Sequence, residues 1–182
     1  MHIPVRNVQG PFEKFNCRCK DCTASGTKRN KFYKIGVVTA KHVLFNSEEA
    51  RDARFVLFDE HEDGRGRETI SGFESGGDDT EKDFSVVYHF THDEEMAKKL
   101  KKICDEYVTM CKKVGGYSVF DGGEGNYPVI LIGHPHGRMK YLTVGTILST
   151  DPKSGQIEYE APSCPGFSGG FVLDIGWPNE EG

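Results

Sequence analysis

Three short segments of this 182-residue chain carry side chains that can do nucleophilic chemistry together. Thr39-Ala40-Lys41-His42 ends on an imidazole, which exchanges a proton near neutral pH. Asp83-Phe84-Ser85-Val86-Val87 opens an apolar run with a carboxylate. Cys164-Pro165-Gly166-Phe167-Ser168-Gly169-Gly170 sets a hydroxyl among glycines. Glycine adopts backbone conformations that other residues resist. Such a loop lets a substrate backbone approach closely, and it can aim N–H groups at one point, as an oxyanion requires. A serine hydroxyl is a weak nucleophile until a base removes its proton. Each residue alone has a plainer reading: a solvated histidine, a turn aspartate, a tight glycine turn. The chemistry requires all three in one place.

A second cluster, Cys17-Arg18-Cys19-Lys20-Asp21-Cys22, offers three soft ligands in C-x-C-x-x-C spacing. A structural zinc site needs a fourth. Cys104, Cys111 or a histidine could supply it, although the usual second C-x-x-C pair is missing. The simpler expectation is no cofactor, with Cys17, Cys19 and Cys22 as ordinary small residues near a strand end. His134 and His136 could join a metal site, but surface turn positions are the simpler reading for them. The N-terminal stretch shows no apolar signal region, so the six cysteines are expected as free thiols and the placement as cytoplasmic.

These residues must be positioned by strands. Hydrophobic residues make up 36% of the chain, enough for a core. The 22 glycines between short β-branched runs suggest many turns and strands. Strands are expected over 31–40, 54–58, near Thr69, and over 83–88, 128–132, 141–144, 156–159 and 171–174. Residues 59–82 otherwise read as a long turn. From Thr91 to Val114 the period changes. Met96, Leu100, Ile103, Tyr107, Met110 and Val114 draw one stripe on a helix, capped by Thr91 or Asp93 and ended by Gly115-Gly116. That stripe is expected to be buried against a barrel. The net charge of -5 argues against nucleic acid and against anionic membranes as partners. Apolar runs of about five residues fall far short of a bilayer span.

Taken together, the motifs resemble those of trypsin-like serine peptidases of the chymotrypsin fold, most closely the Deg/high-temperature-requirement branch. Thr39-Ala-Lys-His42 is similar to that family's T-A-x-H, Asp83-Phe-Ser-Val-Val87 to its D-[IL]-A-[VL]-[LI], and Gly166-Phe-Ser168-Gly-Gly170 to its G-[DN]-S-G-G. Ile132-Gly133-His134-Pro135-His136-Gly137, followed by Thr143-Val-Gly145-Thr-Ile147, resembles the branch's I-G-N-P-x-G and T-x-G-x-[IV]. The resemblance implies an all-β double barrel with one inserted helix at about 92–114 and a short or incomplete C-terminal barrel. Its lobes would be 1–114, holding His42 and Asp83, and 115–182, holding Ser168. It implies a serine endopeptidase acting on protein or peptide substrates, with Ser168 as nucleophile, His42 as general base and Asp83 as its orienting partner. The amides of Gly166 and Ser168 would form the oxyanion hole.

The departures sharpen the expectation. Phe167 stands where digestive members have an aspartate, so activation by a freed N-terminal amine is not expected. Pro162, Ser163 and Cys164 would line the substrate pocket without an acid, which favours a small or apolar residue over Arg or Lys. Cys164, a disulfide position in secreted relatives, reads here as a free thiol. The chain ends soon after Ser168, where family members continue with further strands. The alternative is therefore an inactive pseudo-protease, kept as a binding or scaffold module; a compact viral-type polyprotein protease is a third reading. The oligomeric state stays open.

Overall fold

The computed structural model describes residues 5–113, 127–151 and 156–174. The first sheet is antiparallel, in the order β1 (Val5–Phe12), β2 (Phe32–Ala40), β6 (Phe84–Thr91) and β5 (Glu74–Asp79). β3 (Arg54–Leu57) and β4 (Glu68–Ser71) form a separate ribbon. α1 (Lys20–Ser25) connects β1 to β2, α2 (Ser47–Asp52) connects β2 to β3, and α3 (Glu94–Lys113) follows β6. Ile35 and Val37 of β2 and Val87 of β6 are fully buried, each worth roughly 1.5–3 kcal/mol. They pack with Phe55, Leu57 and Ile70 of the ribbon and with Met96 and Leu100 of α3. Asn46 starts α2 by accepting from the amides of Glu48 and Glu49, each at 2.9 Å.

The second sheet runs β10 (Phe171–Asp174), β7 (Tyr127–Gly133), β8 (Tyr141–Asp151), β9 (Gln156–Glu160), also antiparallel. Val129, Leu131 and Ile147 form its buried face. Gly145 explains why its motif carries glycine. A Cβ there would lie 2.0 Å from the Glu160 carbonyl oxygen and 2.4 Å from Ala161 Cβ. Backbone cannot step aside as a side-chain tip can. Gly145→Ala is expected to destabilise the fold by about 1–3 kcal/mol, lowering Tm by about 2–4 °C for each of those kcal/mol. Thermal denaturation followed by circular dichroism measures this; an unchanged Tm would show that β9 does not cross β8 so closely.

The described chain is β-rich with few helices, and the strands expected from sequence are present. Three elements differ. β5 lies where a turn was expected, because Glu74-Ser75-Gly76-Gly77-Asp78-Asp79 holds no apolar residue. It is held by backbone pairing to β6, and Gly76 leaves room for the Tyr88 ring, which a Cβ would meet at 2.5 Å. β1 was not expected either; it pairs with β2 and places Val5 and Val8 against the core. The helix begins at Glu94 and is capped by Asp93, whose Oδ1 accepts from Met96 N at 2.9 Å. Its expected end at Gly115-Gly116 lies outside the described residues. Its stripe is only half buried: Met96 and Leu100 are inside, whereas Ile103 and Met110 are exposed. The C-terminal half of α3 therefore leaves the core, with Tyr107 meeting Phe171 edge-on at 5.3 Å.

Candidate functional site

Strand register brings His42 to Asp83. β2 and β6 pair through Ala40↔Phe84, and one step further the Lys41 amide donates to the Asp83 carbonyl at 3.0 Å. Asp83 turns the chain into β6 at φ 49, a left-handed conformation that aspartate tolerates better than most residues. Its carboxylate then engages His42 twice. Oδ1 accepts from the His42 amide at 3.0 Å, and Oδ2 lies 2.6 Å from His42 Nδ1. An ionised carboxylate only accepts, so Nδ1 carries the hydrogen and Nε2 keeps its lone pair. Burial pushes the Asp83 carboxyl upward. Hydrogen bonds from the His42 amide and ring, the electrostatic attraction of the His42 ring and the Lys41 amide outweigh it and hold the group below the usual carboxylate range. The pair nevertheless faces water, with side chains 57% and 50% exposed.

The serine loop is two successive turns. The Phe167 amide donates to the Cys164 carbonyl at 3.2 Å, and the Gly170 amide donates to the Phe167 carbonyl at 2.7 Å. Each turn has glycine with positive φ in its third place, Gly166 at 101° and Gly169 at 72°, the requirement of a type II turn. Ser168 stands exposed in the second place of the second turn. Among the described residues, the amides of Gly166 and Ser168 have no hydrogen-bond acceptor, so both remain available as donors.

The loop rests on the 132–137 segment. The Phe167 ring covers Gly133, where a Cβ would meet it at 2.7 Å, and the His136 amide donates to the Pro165 carbonyl at 2.8 Å. Phe167 thus packs against the second sheet's core. On its other side the loop touches the strand that carries His42. A Cβ at Gly169 would lie 2.3 Å from Thr39 Oγ1 and 3.1 Å from Ala40 N. His42 follows two residues after Ala40. Pro162, Ser163 and Cys164 are all exposed, and Cys164 is a free thiol.

The cysteines converge as well. The donor atoms of Cys17, Cys19, Cys22 and His92 all lie within 4.8 Å of one another, a set that can hold a metal ion. Burial raises the Cys17 thiol to about 12 and also raises Cys22. The fourth member is a histidine, but neither of those in the 132–137 turn. His134 is buried, contrary to the surface position expected for it, and its Nδ1 meets the Arg138 carbonyl at 2.9 Å. His136 stays exposed at φ 56. Cys104 is also elsewhere, donating to the Val5 carbonyl at 3.2 Å. The side chain of Cys111 lies outside the described residues. His92 was missed because it sits 70 residues beyond Cys22, and only the pairing Tyr33↔Thr91 carries it there.

No family model and no curated protein matches this chain. Among solved structures, the crystal structure of Deg5 superposes with a TM-score of 0.46 at 19% identity, over 77% of this chain and 64% of that one. The chain thus spans somewhat less than two thirds of that structure's length. Among the described residues, no helix is long and apolar enough to cross a membrane.

Proposed function

We propose that the protein is a serine endopeptidase of the chymotrypsin-like double-barrel type, its lobes dividing near residue 114. The observation that carries this reading is the Asp83 carboxylate held by both the amide and the ring of His42, beside a serine turn seated on Thr39 and Ala40. In this reading His42 Nε2 takes the Ser168 proton as Oγ attacks a peptide carbonyl, and Asp83 stabilises the imidazolium. The carbonyl oxygen becomes an oxyanion that accepts from the Gly166 and Ser168 amides. His42 then passes the proton to the leaving amine, and water hydrolyses the acyl-enzyme by the reverse sequence of transfers. Pro162 and Ser163 offer no carboxylate, so a small or apolar residue precedes the cleaved bond.

A second reading is a peptide-binding module without turnover. It draws on the exposure of His42 and Asp83, since preorganised charges act most strongly where water is excluded. A fluorophosphonate probe separates the two. Under the peptidase reading the folded protein is labelled at Ser168, mass spectrometry finds the adduct on that peptide, and Ser168→Ala abolishes it. Folded protein that resists labelling would leave only the binding module.

A further inference from the structure

We propose that Cys17, Cys19, Cys22 and His92 bind one structural zinc ion, which clamps the β1–β2 connection to the junction of β6 and α3. Three thiols and one imidazole are a soft, nitrogen-tolerant donor set, and four protein ligands suit the closed tetrahedral geometry of structural zinc. Hard cations such as Mg²⁺ and Ca²⁺ would want oxygen donors, of which this set has none.

The surrounding contacts hold these atoms as ligands. Cys22 Sγ lies 3.2 Å from His92 Nε2. The other ring nitrogen, Nδ1, meets the Lys31 carbonyl at 2.7 Å. A carbonyl only accepts, so Nδ1 carries the hydrogen and Nε2 is left as a lone-pair donor aimed at the sulfurs. Fixing a ligand's tautomer through its second nitrogen is how metal-bound histidines are held. The Cys19 amide points at Cys17 Sγ and the Cys22 amide at Cys19 Sγ, each at 3.4 Å. Cys19 also caps α1. All three cysteines are buried, under a cover that includes Phe32 and Phe90. Packing alone asks only for small apolar residues, and a Cys22 thiol donating to His92 Nε2 accounts for one contact but not for three sulfurs and an imidazole nitrogen all converging within 4.8 Å.

The site lies at the far end of the strand pair that carries His42 and Asp83. Tyr33↔Thr91 marks its end and Ala40↔Phe84 the other. At roughly 3.3 Å per residue the two are about 23 Å apart. With all four positions filled by protein, the ion's part is structural. Binding displaces the thiol protons to solvent and leaves thiolate ligands.

The test uses the full chain, purified under reducing conditions without added metal. Elemental analysis should find close to one zinc per chain. After stripping with a chelator, Co²⁺ should bind to saturation at one equivalent, giving thiolate-to-cobalt charge transfer and tetrahedral d–d bands that Zn²⁺ abolishes. Stripping should lower Tm by about 10 °C relative to protein held in free Zn²⁺ near a thousand times Kd, the shift that mass action gives there. His92→Ala should weaken Co²⁺ binding at least tenfold. His92→Cys, which keeps four donors if the alanine variant fails to fold, should retain one ion with shifted d–d bands. A folded, metal-free protein that develops no cobalt spectrum would overturn the proposal. So would a disulfide among the three cysteines under these conditions, or a cobalt spectrum unchanged by His92→Cys.

Discussion

Ser168→Ala should lower the turnover number on an unfolded protein substrate by about 10⁶-fold while leaving the fold intact. The effect is large because the loss is of bond formation itself. On the proposed mechanism, without Oγ no acyl-enzyme forms, His42 has no proton to take, and only binding and the amides of residues 166 and 168 still act on the carbonyl. Stability should barely change, since the side chain stands exposed in its turn and no hydrogen bond to its hydroxyl holds that turn together among the described residues. The turn depends instead on Gly169 and on the Gly170 amide. Release of labelled peptide from casein measures the turnover, and denaturation midpoints measure the fold. If the wild type cleaves and the alanine variant cleaves equally well, Ser168 is not the nucleophile. If folded wild type cleaves nothing, the binding-module reading takes over.

How far this site was legible from the sequence follows from what holds each part. The serine turn was readable because its conformation is local: Pro165, Gly166 and Gly169 dictate two tight turns wherever they fall. The His42–Asp83 contact was readable only through motif resemblance. Its physical cause is the register between two strands, and β-pairing leaves no mark on a single strand's composition. The same holds for His92. Nothing near Thr91-His92-Asp93 signals a ligand, yet one ladder carries Asp83 to His42 at one end and His92 toward the cysteines at the other. β5 escaped for the opposite reason. It is a strand by pairing alone, with glycines that admit the Tyr88 ring where hydrophobic alternation would normally signal a strand. The exposed half of α3 shows the limit of periodicity. A stripe at helical spacing identifies the helix but not how much of it finds a surface to cover.

Asp83→Asn should lower the turnover number by about 10⁴-fold and alter acid stability in a defined sense. The asparagine oxygen can still accept from the His42 amide, so the strand ends should stay together. Its NH₂ group then faces Nδ1 and donates where the carboxylate accepted. That moves the ring hydrogen to Nε2, and the lone pair needed for the Ser168 proton is lost. The stability effect follows from the lowered Asp83 pKa. A carboxyl depressed in the folded state stabilises that state fully above its unfolded value of about 3.9, and loses the contribution as pH falls through the lower folded value. The wild type should therefore exceed Asp83→Asn in stability at neutral pH, with the gap closing below about pH 4. Half exposure of the pair keeps that gap small. Urea denaturation of both proteins between pH 2 and 7 measures it, alongside turnover at pH 7. A variant within tenfold of wild-type activity would remove Asp83 from the mechanism, and a gap that persists undiminished to pH 2 would show that its carboxylate is not what joins the strands there.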